Sequence, residues 1–209
     1  VTAEHRRPVT QPSHQFDWLI GSDEAGAAHR LAQETSWALL DRVRGDADPV
    51  VVERVIELAA SEGIDEVAEL WAGSSPHSLA GQLWRIYLLR RIVAADPEGT
   101  ANLFREGLET ASTIDPVVAG AAEPISPQSI ADLCNTILRG AFTGDLAIAL
   151  ERASSYCRVL SLGAAALADR REFVDEVLAT ALTTRALRYD TLAIELRAGA
   201  RRWRNGTLD

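Results

Sequence analysis

Chemistry in this 209-residue chain would have to come from four histidines, two cysteines and a few charged residues set inside apolar runs. His5, His14, His29 and His77 never occur in the Glu-x-x-His or His-Glu-x-x-His spacing that puts metal ligands on one helix face. No metal site is expected. Cys134 and Cys157 also lack metal-ligand spacing, so they are expected to serve as small apolar core residues. Neither GxGxxG nor GxxxxGK[ST] is present, and no G-x-S-x-G elbow surrounds Ser154 and Ser155. Nucleotide chemistry and serine hydrolysis have no local support, and no cofactor is expected.

The charges in apolar surroundings are harder to set aside. Arg85 lies between Trp84 and Tyr87 in QLWRIYLL, Arg139 ends one helical pattern, Asp145 opens the next, and Glu151, Arg152 and Arg158 punctuate it. A buried guanidinium needs a carboxylate, because breaking such a pair costs about 3–5 kcal/mol. Asp145 is suited to a helix start, where an anion meets the positive end of the dipole. Glu151 and Arg158, seven residues apart, are expected to pair across helices. The preferred reading is an internal salt-bridge network. The alternative is a ligand pocket formed by Trp84, Arg85, Tyr87, Arg139 and Asp145.

The elements that position these groups read as helices throughout. SPHSLAGQLWRIYLLRRIVAA, from Ser75, starts with a capping serine and a proline and is apolar on most sides. Neighbours must therefore surround it, and it is expected to be the central buried helix at about 76–95. Before it, residues 1–21 read as an extended arm, Ser22 caps a helix to about Arg44, and further helices start at Asp48-Pro49 and Asp65. After it, Asp96-Pro97 and Ser126-Pro127 open helices on either side of an irregular apolar stretch, Thr113 to Ile125. Leu146, Leu150, Ala153, Cys157 and Leu160 then mark one buried face, which Gly163 ends or kinks. Ala164 to about Arg188 continues with Phe173, Val174, Val177, Leu178, Ala181 and Leu182 inward, and Asp190 caps a last helix through Trp203. The expectation is an all-α, single-domain bundle of eight or nine helices over residues 22–209, with a basic C-terminal helix.

Composition bounds the rest. A hydrophobic fraction of 47% with 24% charged residues is that of a globular protein rather than a disordered one. No apolar run approaches the ~20 residues of a membrane span, and no leader-like segment opens the chain, so a cytoplasmic location without membrane contact is expected. A formal net charge of −9 argues against nucleic acid as a partner. All basic residues are arginine, and six of them fall between Arg185 and Asp209 against three acids. That basic end fits an acidic protein partner or self-association.

SLAGQLWRIYLLRRIV, and then ILRGAFTGDLAIALERASSYCRVLSLGAAAL, resemble an uncharacterised family of helical proteins in actinobacteria. The resemblance implies an all-α fold and carries no known activity and no catalytic residue. The functional expectation is a non-catalytic protein acting by association, as a homo-oligomer and specifically a homodimer. Trp18, Arg201 and Trp203 are its expected interface, because Trp and Arg are favoured at interfaces. The rival expectation is a small-ligand-binding domain, resembling a regulator's effector domain, built on the Trp84, Arg85 and Tyr87 group.

Overall fold

Helix starts fall where short polar side chains can accept the orphan N–H groups of a first turn. In the computed structural model, which describes residues 14–45, 50, 70–111, 115–120 and 125–209, seven helices are found among the described residues and no strand. They are α1 (His14–Gly45), α2 (Leu79–Ala95), α3 (Pro97–Thr110), α4 (Asp115–Ala119), α5 (Pro127–Thr143), α6 (Leu146–Arg171) and α7 (Glu176–Arg204). Asp96 caps α3 through Gly99 N–H, and Ser126 caps α5 in a reciprocal box with Ser129. Asp145 caps α6 through Ala147 N–H at 2.8 Å. The helix starts expected at Asp48 and Asp65 lie outside the described residues.

Three boundaries differ from the sequence expectation. α1 already runs from His14, so residues 14–21 of the expected arm are helical. α2 starts at Leu79 rather than Pro76, with Ser78 as its cap and Ser75–Ser78 forming a turn. The cause is local competition for the first N–H groups. Ser78 Oγ accepts from Gly81 N–H at 3.1 Å, while Leu79 N–H donates to the main-chain oxygen of Asp209 at 2.6 Å. The C-terminal residues reach this point because Gly206, at φ 64°, reverses the chain after α7, and Thr207 N–H then bonds to Arg202 O at 2.9 Å.

The third difference divides the C-terminal half into two long helices, α6 of 26 residues and α7 of 29. Gly163 does not end α6. A Cβ there would stand 1.8 Å from Leu103 O of α3, and one at Gly107 of α3 would stand 2.0 Å from Val159 O of α6. The two glycines are reciprocal notches that let the backbones of α3 and α6 close on each other. The chain instead turns at residues 172–175, where Arg171 O accepts from Val174 N–H at 3.0 Å and Asp175 N–H at 2.8 Å. Asp175 then caps α7 through Leu178 N–H at 3.0 Å, and Asp190 lies inside that helix.

The packing centre is α6, against which α7, α3, α4 and α5 all lie, rather than the 76–95 segment. Tyr156, Leu150 and Leu160 of α6 are fully buried, and the Tyr156 ring meets Phe104 of α3 at 5.0 Å between centroids. α2 is still enclosed on most sides, by α5, α1 and α7, with Leu79, Leu83, Ile86, Leu89 and Val93 in the core. Seven-residue spacing governs the contact of α7 with α6. Ala179, Ala186 and Ala193 face inward, and Ser154 and Ser161 of α6 donate to Ala193 O at 2.7 Å and Ala186 O at 2.9 Å. Small side chains hold these two helices close together.

Candidate functional site

Arg85 projects from α2 onto α7. Its Nε donates to Glu195 Oε2 at 2.7 Å and its Nη1 to Gly81 O at 2.8 Å, so the guanidinium is held from both sides. Gln82, fully buried one turn earlier, donates to Pro76 O and to Glu195 O, at 3.1 Å for the latter. Its side chain fills the space that a Cβ on Gly199 would occupy. Trp84 is half-buried, Tyr87 is buried, and their rings lie 5.7 Å apart on the same helix. Arg85 is thus half of an internal pair, as the network reading expects, and its carboxylate is Glu195 rather than Asp145.

The remaining members of that group are dispersed. Asp145 is spent on the α6 cap and lies in the field of Arg204, while Arg139 is exposed near the end of α5. Glu151 pairs across helices with Arg204 through two parallel bonds, which hold its carboxyl below the usual range. Arg158 also pairs across helices, with Asp115 Oδ2 at 2.9 Å.

Asp115 is the charged residue that sequence reasoning missed. It is buried at the first position of α4, accepts from Ser155 Oγ at 3.2 Å, and is also reached by Arg197 of α7 at 3.5 Å. One carboxylate therefore ties α4, α6 and α7 together. The signal was present: Asp115-Pro116 repeats the Asp-Pro start that opens α3, inside the stretch set aside as irregular.

A second polar group in the core is closed to reaction. Burial pushes the Cys134 thiol up to about 12 and the fully buried Cys157 thiol well above its ordinary value. The same loss of solvent raises the Tyr156 hydroxyl, which makes no hydrogen bond of ordinary geometry and has the Cys134 thiol beside it. Both cysteines are free thiols. Among the described residues no group of histidine, cysteine and carboxylate side chains is placed to hold a metal ion.

The expected interface residues separate in the same way. Trp203 is half-buried and stacks on Trp37 of α1 at 5.8 Å, so it serves the chain's own packing. Arg201 is exposed, whereas Arg197 and Arg204 of the same helix are engaged internally. The side chain of Trp18 lies outside the described residues.

The open apolar surface lies elsewhere, on the hairpin made by α6 and α7. Phe173 is 93% exposed and Val177 82%, and Val174 and Leu178 beside them are exposed too. These side chains were expected inward and are not, because the hairpin beyond Ala168 extends past the helices that cover the rest of α6. A groove of about 580 Å³ separates the two helices there, lined in part by Asp169, Phe173, Glu176, Thr180 and Thr184. Further down α7, Leu187 and Ile194 are also exposed.

No known protein family, no curated protein and no solved structure matches this chain.

Proposed function

We propose that the chain is a non-catalytic helical protein of the actinobacterial kind its two segments resemble, and that it works by protein association through the α6–α7 hairpin. The observation that carries this reading is the cluster Phe173, Val174, Val177 and Leu178, large apolar side chains left in solvent at the end of a well-packed hairpin. Its location is the cytoplasm, where the two free thiols suit a reducing compartment. A small-ligand site at Trp84, Arg85 and Tyr87 is the weaker reading, since a ligand anion would have to displace both Glu195 and the Gly81 carbonyl from Arg85. A photo-crosslinking residue placed at Val177, in cells, tests the association reading. It is expected to trap a protein, while the same residue at exposed Gln128 on α5 does not. Equal, background-level trapping at both positions contradicts it.

A further inference from the structure

The outward face of α7 carries a second seven-residue pattern. Val177, Thr180, Thr184, Leu187, Thr191 and Ile194 follow one another at steps of three and four, and all six are exposed. Val177, Leu187, Thr191 and Ile194 lie away from Ala179, Ala186 and Ala193, the alanines that face α6, while Thr180 and Thr184 also edge the groove between α6 and α7. Two of its three threonines turn their hydroxyls back onto the helix. Thr184 Oγ1 donates to Thr180 O at 3.0 Å and Thr191 Oγ1 to Leu187 O at 3.0 Å, which turns their hydroxyls onto the helix's own carbonyls. A helix with apolar positions at steps of three and four along one face is built to pack against another helix along that seam.

From this geometry we infer that the seam is covered by a second copy of the same chain, with the two α7 helices running antiparallel about a two-fold axis between Arg185 and Ala186. The inference rests on the association reading and names its partner. Antiparallel pairing in this register places Val177 opposite Ile194, Thr180 opposite Thr191 and Thr184 opposite Leu187 of the second copy. A shift by one heptad in either direction leaves seam residues unpaired. The flanking charges choose the orientation. Antiparallel packing sets Glu176 against Arg197 of the second copy, which also reaches Asp115 of its own chain, whereas parallel packing sets Arg197 against Arg202, like charges. A two-fold interface must be complementary to itself, and this face is. The exposed Phe173 end of the hairpin then lies beside Ala198 of the second copy.

Cysteine pairs read both partner and register, because Cys134 and Cys157 are buried and out of reach. Positions 177 and 194 lie about 26 Å apart on one helix, too far for a bond within the chain. In the purified full chain, the Val177→Cys/Ile194→Cys double variant is expected to form a disulfide-linked dimer under mild oxidation. It does so about tenfold or more faster than either single variant. Both sites are exposed, and unchanged circular dichroism checks folding. Crosslinking of Val177→Cys alone at the rate of the double variant overturns the antiparallel arrangement. A double variant that stays single overturns the second copy. In that case, trapping of a different protein at Val177 would leave the association reading standing, and trapping of nothing would end both.

Discussion

Asp115 is a small residue with a large share of the fold's polar connections. Its carboxylate receives Ser155, Arg158 and Arg197, and it is itself almost fully buried. Its arginine partners keep part of their surface in water, so the cost of removing it is less than that of a fully enclosed pair. Asp115→Ala is expected to lower stability by about 2–3 kcal/mol, through the stranded guanidinium groups and a buried hydroxyl that loses its acceptor. Urea unfolding measures this, and a change below about 0.5 kcal/mol would mean that the cluster is ornamental. The residue scale is also where sequence reading is least complete. That Arg85 and Arg158 need carboxylates follows from their apolar surroundings. Which carboxylates they take does not, because Glu195 and Asp115 stand 110 and 43 positions away and only the folded chain brings them close.

At the scale of elements, the contact of α5, α6 and α7 encloses Cys134, Tyr156, Cys157 and Tyr189, all held protonated by loss of solvent. The consequence appears at high pH. Above about 9 the thiols ionise in the unfolded chain while the folded chain retains their protons, Cys134 up to about 12. The unfolded state then binds fewer protons, so stability falls as pH rises, by about 1.4 kcal/mol per pH unit for each group concerned. The urea midpoint is expected to drop between about pH 8.5 and 10.5, and Cys134→Ala/Cys157→Ala to flatten the drop. A midpoint independent of pH in the wild-type chain would contradict this enclosure. Element starts were legible at the caps Asp96, Ser126 and Asp145, but Ser22 and Asp190 lie inside longer helices and Ser75 stands one turn before the actual cap, Ser78. Gly163 misled because a glycine that admits a neighbouring backbone looks, in sequence, like a glycine that ends a helix. The turn at 172–175 carries no proline or glycine to announce it.

On the scale of the whole molecule, α6 organises the packing and α7 has two working faces. Its inner face, with an alanine at every seventh residue, closes the hairpin; its outer face is exposed and is the face proposed to meet a second copy. Periodicity identified Val177 and Ala181 as members of an apolar face and assigned that face to the core. The period was sound. What covers the face is a tertiary fact, and among the described residues nothing covers it. Trp203 is stacked on Trp37, and the association surface proposed here is the hairpin's outer seam instead.

Light scattering of the purified chain over a micromolar concentration series, beside Leu187→Asp, tests this account most directly. Leu187 is 65% exposed, so a carboxylate there adds no cost to the isolated fold and puts a charge in the middle of the seam. The account predicts twice the chain mass for the wild type and a single chain mass for Leu187→Asp, with identical circular dichroism. A wild type that remains monomeric, or a Leu187→Asp variant that remains dimeric, would contradict it.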